Sequence, residues 1–131
     1  MREIKFRARS KTGSNPWLYS TGYYYDGINY WFLLPSNDNK AIAWAARVTI
    51  VPETLGEYIG RKDKNKIEIY EGDVVSFKWG NYKKRFVSQV AWGTVGFWVV
   101  RFLEVLRWSE RYDVEVIGNI YENPELVKDN V

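Results

Sequence analysis

The carboxylates near the middle of the chain are the residues that could perform acid-base chemistry. Glu71 and Asp73 flank one glycine in the segment Tyr70–Asp73, which reads YEGD. Two carboxyl groups can serve as acid and base when their surroundings separate their pKa values. With Asp63 they could also hold Mg²⁺ through oxygen ligands alone. The alternative is structural, because aspartates in turns commonly accept hydrogen bonds from backbone amides. We expect the structural role and predict no catalytic residue and no metal ligand.

The composition removes the most common catalytic groups. The chain of 131 residues contains no His and no Cys. Ser-His-Asp catalysis, Cys-His catalysis and zinc sites with His or Cys ligands are therefore excluded. No disulfide can form, which fits a cytoplasmic location. We predict that the protein is not an enzyme and that it uses no cofactor.

Two groups of positively charged residues could contact phosphate. Lysines alternate along the charged turn before the carboxylates, and an extended loop of this kind can follow a phosphate backbone. A second group of cations comes directly after aromatic residues, a combination typical of single-strand binding. The candidate residues are Lys62, Lys64, Trp79, Tyr82, Lys83, Lys84 and Arg85. The alternative is that the cations are solvated at hairpin tips and the rings lie in the core; the net charge of +3 does not decide between the two.

Aromatic residues are concentrated on both sides of Asp26-Gly27, in a chain with seven Trp and ten Tyr. Because side chains alternate across a strand, these rings cannot all face one core. An exposed aromatic patch usually marks an interface. We therefore expect self-association here, with ligand binding as the alternative. The candidate interface residues are Tyr23, Tyr24, Tyr25, Tyr30 and Trp31.

Short strands must position these groups. Glu3–Ala8 alternates apolar and charged residues, which predicts a half-buried strand with a charged outer face. We expect that face to be solvated, with phosphate binding as the alternative. Asp-Gly between β-prone residues predicts a tight hairpin at Asp26-Gly27 in which both turn residues have positive φ. The stretch Tyr58–Val75 holds two polar turns around one short strand, which indicates a β-meander. Ala41–Ile50 is ambiguous between helix and strand, and only its second half is predicted as a strand.

The pattern as a whole is typical of a mainly antiparallel β protein with little helix. Alternation from Asp73 to Ile117 predicts about four further strands, enough for a small barrel-like or strongly twisted sheet. We predict a single domain over 1–131, with a possible N-terminal lobe over 1–57 and a C-terminal β lobe over 58–131. The start lacks the apolar core of a signal peptide, and no segment is long and apolar enough to span a bilayer. We expect a cytoplasmic protein with no membrane partner.

The central stretch carries a recognisable pattern. Its matching residues are Tyr58, Gly60, Lys62, Asp63, Lys64, Asn65, Glu68, Ile69, Tyr70, Glu71, Gly72 and Asp73. This pattern resembles the YopX family of phage and prophage proteins, whose typical form is Y-x-G-x-K-D-K-N-G-K-E-I-Y-E-G-D. The start Met1–Ala8 and the end Glu115–Leu126 are also similar to the family, so the resemblance brackets nearly the whole chain.

The resemblance implies a small, largely β, cytoplasmic protein encoded by a phage or a prophage. The family has no established activity that could be carried over to this chain, and it offers no catalytic residues to map. Lys66 departs from the pattern, because the family usually has glycine after Asn65. We expect Asn65 to adopt the left-handed conformation, since lysine at positive φ is strained by about 1 kcal/mol.

We therefore expect a YopX-like, non-enzymatic binding module that forms a homo-oligomer, with protein or nucleic acid as a further partner. The alternative is a nucleic-acid-binding phage accessory protein that uses the cations named above. A third hypothesis is an enzyme that works with carboxylates and a metal.

Overall fold

The fold is mainly β, with antiparallel sheets and little helix. The structure is a computed structural model that describes residues 3–35, 42–78, 84–91 and 113–128. The chain divides into two compact units, residues 3–58 and residues 59–131. The prediction of a single domain over 1–131 stays a prediction.

Ten strands and two short helices make up the described part of the chain. They are β1 (Phe6–Arg9), β2 (Trp17–Ser20), β3 (Tyr23–Tyr25), β4 (Tyr30–Pro35), β5 (Ile42–Thr49), a 3-10 helix (Pro52–Thr54), β6 (Gly56–Lys62), β7 (Glu68–Tyr70), β8 (Asp73–Lys78), β9 (Arg85–Gln89), β10 (Glu115–Asn119) and α1 (Glu125–Lys128).

The first unit is built from two sets of strands around an apolar core. β1 pairs antiparallel with β2, with Phe6 opposite Ser20, and on its other side with the start of β6. β3, β4 and β5 form a sheet in that order. Ala8, Phe32 and Ile50 are fully buried and form one cluster. The alternation of β1 is thus explained, because Ala8 faces this core.

The charged side of β1 is not solvated as predicted. Arg7 is buried, with 8% of its surface exposed. The guanidinium groups of Arg7 and Arg9 lie over the Trp17 ring, 4.9 and 5.3 Å from its centroid. Trp17 stands directly opposite Arg9 across the β1–β2 pair. Cation–π contact with this cross-strand ring takes the place of part of the hydration that arginine normally keeps.

The second unit is built on β8. β8 lies between β10 and β9, and its residues from Asp73 to Phe77 are buried on both faces. Val75 and Phe77 join Ile69 and Val90 in the core of this unit. A strand between two neighbours with both faces covered needs no polar side, which explains why the predicted alternation does not separate a solvated face here.

The predicted meander and barrel are not confirmed. β7 neighbours β6, whereas β8 belongs to the sheet with β9 and β10. The turn at Glu71-Gly72 therefore moves the chain out of one sheet and into another. None of the sheets formed by the described strands closes on itself. Closure requires one continuous run of staggered strands, and this change of sheet interrupts the run.

One local prediction needs correction, and one segment that is ambiguous from the sequence is a strand. The hairpin at Asp26-Gly27 is confirmed, but Tyr25 pairs with Tyr30, so its loop is longer than the two residues predicted. Of the two turn residues, Gly27 alone has positive φ, at +99°. The strand β5 spans Ile42–Thr49 and includes the half of the segment that was left open. Its pairing with β4 outweighs the helix propensity of its alanines.

The C-terminal part agrees with the predicted strands as far as it is described. Of the strands predicted from Asp73 to Ile117, β8, β9 and β10 are confirmed. The intervening predictions over 92–112 lie outside the described residues. The predicted tail begins with the single turn of α1.

Candidate functional site

The β3–β4 hairpin divides its aromatic side chains between two faces. Cross-strand pairing sets Tyr25 opposite Tyr30, and Tyr24 opposite Trp31. Side chains alternate along each strand. One face therefore carries Tyr23, Tyr25 and Tyr30, which we call the tyrosine face, and the outer face carries Tyr24 and Trp31. The prediction that these rings cannot all face one core is confirmed.

The tyrosine face is anchored on the core and partly open to solvent. The Tyr30 ring centroid lies 4.7 Å from that of Tyr25 and 6.5 Å from that of Tyr23. Phe6 of β1 meets Tyr23 edge to face at 5.1 Å. Tyr23 and Tyr25 are nevertheless 42% and 56% exposed. Aromatic packing thus fixes the rings while leaving a substantial area available for contact.

The side chain of Asp26 shapes the tip of this hairpin. Its Oδ1 accepts the amides of Ile28 and Asn29 at 2.8 and 2.7 Å. These bonds fix the loop and leave Ile28 83% exposed at its tip. The pKa of the Asp26 carboxyl lies below its ordinary value, first because of the Asn29 amide and then because of the Trp31 indole N–H. The carboxylate is therefore a structural part of the tip.

Arg47 of β5 completes a polar network on the outer face. Its guanidinium carbon lies 4.2 Å from the Trp31 ring centroid, and its Nη1 donates to the Tyr24 hydroxyl. Trp31 Nε1 donates to Asp26 Oδ2 at 2.8 Å. One cation and one anion are thus connected through one indole ring, which makes the outer face polar and the tyrosine face apolar.

The aspartate of the first central turn is a structural acceptor. Asp63 is buried, with 5% of its surface exposed. Its Oδ1 accepts the amides of Asn65 and Ile67 at 2.8 and 2.9 Å, and its Oδ2 accepts the amide of Val116 at 2.9 Å. One carboxylate therefore closes the turn after β6 and ties it to β10, and both of its oxygens are engaged.

The second central turn is fixed by an aspartate and a glycine. Asp73 is buried, and its Oδ2 accepts the Tyr70 amide at 2.8 Å. The predicted structural role of Asp73 is thereby confirmed. Gly72 has φ +92°, and a Cβ at this position would lie 2.9 Å from the Tyr121 ring. Position 72 therefore requires glycine for its backbone conformation and for the close approach of this ring.

The residues of the family pattern near the C-terminus likewise form hydrogen bonds and close contacts within a turn. Asn119 Oδ1 accepts the amides of Tyr121 and Glu122 at 3.0 and 2.9 Å. Asn123 N–H donates to the Asn119 carbonyl at 2.8 Å. A Cβ at Gly118 would lie 2.5 Å from Asn123 Oδ1. The turn after β10 thus depends on these residue types for its own hydrogen bonds and packing.

The left-handed residue of the first central turn is Lys66, with φ +66°. The expectation that Asn65 would adopt this conformation is wrong. The Lys66 amide donates to the Asp63 carbonyl at 2.9 Å, while the amides on either side, of Asn65 and Ile67, donate to the Asp63 carboxylate. These bonds fix the turn with the residue at position 66 in the left-handed conformation.

Two of the predicted phosphate-binding cations meet at one carboxylate. Arg85 Nη1 lies 2.7 Å from Asp113 Oδ2, and Lys64 Nζ lies 3.4 Å from the same oxygen. Lys64 Nζ is also 3.4 Å from Glu115, and Arg85 Nε donates to Ser76 Oγ at 2.9 Å. The structure thus brings the two predicted groups of cations together and pairs one member of each with an acid.

Asp113, which pairs with Lys64 and Arg85, was not identified as a site residue from the sequence. It has left-handed backbone geometry, with φ +47°. Arg85 holds the pKa of the Asp113 carboxyl below its ordinary value, and Lys64 adds to this effect. The pair is separated by 28 positions, and no short-range pattern connects an acid to a base at that distance.

The other residues predicted to contact phosphate are either exposed or outside the described residues. Lys62 and Lys84 are exposed, and neither forms an ion pair within the described ranges. Trp79, Tyr82 and Lys83 lie outside the described residues. The assignment of these residues to nucleic-acid binding stays a prediction.

The residues that form these turns belong to a sequence pattern that extends along the chain. A sequence model of the YopX family, described as YopX protein, matches residues 5–128. The chain belongs to the YopX family. The resemblance seen in the central turns and at both ends is therefore confirmed. A search of the curated proteins finds no match to this YopX protein.

The fold is also similar to that of a solved structure. The crystal structure of protein EF1440 from Enterococcus faecalis superposes with a TM-score of 0.52 at 23% sequence identity. The alignment covers 98% of this chain and 100% of the other. At this identity the similarity establishes the fold and carries no information about activity.

The described part of the chain lacks two kinds of feature. No helix there is long and apolar enough to cross a membrane. No group of three or more potential ligand side chains among those residues is arranged to hold a metal ion.

Proposed function

We propose that this member of the YopX family is a non-enzymatic binding module that self-associates through the β3–β4 hairpin. The observation that carries the proposal is the exposure of three large apolar side chains on one hairpin. Tyr23 is 42% exposed, Tyr25 56% and Ile28 83%. Adjoining exposed apolar residues usually mark an interaction site, and aromatic residues are enriched at protein interfaces.

The position of β3 in its sheet supports a second copy as the partner. In the order of the described strands, β3 neighbours β4 alone. An edge strand offers backbone amides and carbonyls to another chain. Two copies related by a twofold axis can join such edges as an antiparallel pair, because a twofold interface places the same patch against itself. Tyr23 and Tyr25 would then meet their counterparts.

The charges of the hairpin also favour a second copy. Asp26 and Arg47 bear opposite charges and are linked through Trp31. A patch whose charges are balanced internally can face its own copy without like-charge repulsion. A strongly charged partner would find no net charge to complement here.

The positions of two carboxylates support the non-enzymatic part of the proposal. Asp63 and Asp73 are buried and accept backbone amides at 2.8–2.9 Å. An acid-base catalyst must reach the proton that it transfers, directly or through one water. Turnover that needs a metal and is abolished by Asp73→Asn, with the fold intact, would contradict the proposal.

We infer further that the protein acts in the cytoplasm of a bacterial host as an accessory protein of a phage or a prophage. The family pattern supports this origin. The absence of cysteine from the sequence is compatible with a reducing compartment. A self-associated form could present further surfaces to a host or phage protein.

The self-association is tested by comparing the solution mass of three forms with light scattering after size exclusion. The wild type should have a mass that is a multiple of 15.5 kDa. The double variant Tyr25→Ser, Ile28→Ser should shift towards the monomer, because it removes the most exposed apolar groups of the hairpin.

The matched control is Tyr19→Ser. Tyr19 is 55% exposed, nearly the same as Tyr25. It stands opposite Arg7 on β1, on the face opposite to that of Phe6, which contacts Tyr23. This control should keep the wild-type mass. An oligomer that is equally stable in the double variant would overturn the assignment to the hairpin.

A further inference from the structure

We propose that exposed cations of the second unit bind the phosphate backbone of nucleic acid. We call these residues the cationic cluster: Arg61, Lys62, Lys66, Lys78 and Lys84. None of them lies on the β3–β4 hairpin, so this proposal is independent of the self-association proposed above.

One carboxylate brings together the two segments of the chain that carry the cationic cluster. Some of its residues lie at the end of β6 and in the turn that follows; the others lie at the end of β8 and just before β9. Asp113 Oδ2 lies 3.4 Å from Lys64 Nζ of that turn and 2.7 Å from Arg85 Nη1 of β9. Two cations far apart in sequence, Lys64 and Arg85, therefore meet at a single residue, and each is close in the chain to members of the cationic cluster.

The acids at this point are balanced by two other cations. Asp113 contacts Lys64 and Arg85, and Glu115 contacts Lys64 at 3.4 Å. Two acids thus face two bases. Within the described ranges, no ion pair involves a side chain of the cationic cluster. The surface consequently keeps a local excess of positive charge that a polyanion can neutralise.

The register of the β8–β9 pair places Lys78 of the cationic cluster beside Arg85. Lys78 stands directly opposite Arg85, so the two side chains lie on the same face of the sheet. Arg85 Nε also donates to Ser76 Oγ at 2.9 Å, which holds the guanidinium on that face. Lys84 precedes Arg85 and is exposed. The arginine is thus held in place, while the neighbouring lysines remain available to a ligand.

The distribution of these cations over two segments favours binding to a chain of phosphates over binding to a single small anion. A compact anion is bound by donors that converge on one point. The cluster residues instead occupy two separate hairpin segments on the surface. Separate cations fit a backbone that repeats its charge, and each phosphate contact releases counterions. Single-stranded and duplex DNA share this chemistry, and both are used in the test.

The test is fluorescence anisotropy of labelled single-stranded and duplex DNA, titrated with the full chain over a series of salt concentrations. The wild type should bind at low salt, and log K should fall linearly with log salt. The triple variant Lys62→Gln, Lys66→Gln, Lys84→Gln should reduce that slope by about 2 to 3, because each lost phosphate contact removes about one unit or slightly less. Preference for one of the two DNA forms identifies the form recognised.

The matched control is Lys62→Arg, Lys66→Arg, Lys84→Arg, which keeps all three charges and should keep the wild-type slope. Circular dichroism and the thermal unfolding midpoint show whether each variant is folded. Failure of the wild type to bind either DNA at low salt would overturn the proposal, as would an unchanged slope in the glutamine variant. Equal affinity for poly-glutamate or for phosphatidylserine vesicles would also overturn it, because the surface would then recognise negative charge in general.

Discussion

Individual residues of the family pattern serve the geometry of its turns. Asp63 and Asp73 accept backbone amides, and Gly72 meets the Tyr121 ring. Buried carboxylates that accept several amides form strong, charge-assisted hydrogen bonds. These residues therefore determine whether the second unit folds, and their substitution should change stability before it changes any binding property.

Asp63→Asn tests this role at the first turn. The amide group of asparagine has one acceptor oxygen, so it cannot satisfy both the turn amides and the Val116 amide that the carboxylate now binds. We expect a loss of about 3 kcal/mol in the free energy of unfolding, measured with urea. Glu53→Gln, at an exposed acid, should change this value by less than about 0.5 kcal/mol. Equal effects of the two substitutions would refute the structural role of Asp63.

Gly72→Ala and Gly27→Ala separate backbone strain from packing. Both glycines have positive φ, at +92° and +99°, but only a Cβ at Gly72 would meet another residue, the Tyr121 ring at 2.9 Å. We expect Gly27→Ala to cost about 1 kcal/mol and Gly72→Ala about 2–4 kcal/mol in unfolding free energy. Thermal and urea unfolding measure both, and similar losses would show that the Tyr121 contact is unimportant.

Some of these residues could be assigned from the sequence and others could not. The turn role of Asp73 was predicted, because aspartates in turns commonly accept nearby backbone amides. The left-handed conformation of Lys66 was not, because it follows from two hydrogen bonds to the Asp63 carboxylate that local propensity does not include. Asp113 was missed since its partners come from distant positions.

The strands and hairpins show the same division. Features set by local sequence were predicted, and features set by long-range pairing were not. The β3–β4 hairpin was predicted from Asp26-Gly27 and the β-prone residues around it, but its loop is longer than predicted and only Gly27 of the two turn residues has positive φ. The meander was not confirmed, because the pattern of turns does not specify which sheet a strand joins after Glu71-Gly72. β5 was assigned only in part, since its alanines favour helix and its pairing with β4 is not visible in its own sequence.

The link between the first central turn, β9 and β10 predicts a pH dependence. The pKa of Asp113 is below its ordinary value of 3.8 in the folded protein, chiefly because of Arg85. A depressed carboxyl pKa stabilises the folded state above the unfolded-state pKa, and this contribution disappears as pH falls through the folded-state pKa. Stability should therefore decrease on acidification below about pH 4.

Asp113→Asn should weaken that dependence, because asparagine does not titrate. Urea unfolding at a series of pH values, from neutral to below the ordinary aspartate pKa, measures it for the wild type and the variant. The variant should be less stable than the wild type at neutral pH, and the difference should shrink as the pH falls. A difference that is constant across the whole range would show that the Arg85–Asp113 pair contributes nothing through its charge.

At the scale of the whole molecule, two compact units offer two different kinds of surface. The first unit exposes the tyrosine face and Ile28 at an edge hairpin, and we assign it to self-association. In the second unit Lys64 and Arg85 meet at Asp113, and we propose that the exposed cations close to them in the chain bind nucleic acid. Variants in the hairpin should change the solution mass without changing the salt dependence of DNA binding per protomer. Variants in the cationic cluster should change that salt dependence without changing the solution mass.

Self-association of this protein is best tested by the solution mass of the wild type over a wide range of protein concentrations. We expect a mass that is a multiple of 15.5 kDa, that falls towards the monomer only on dilution and that is insensitive to salt, because an apolar hairpin forms the contact. A mass of 15.5 kDa at every concentration would contradict self-association through the β3–β4 hairpin.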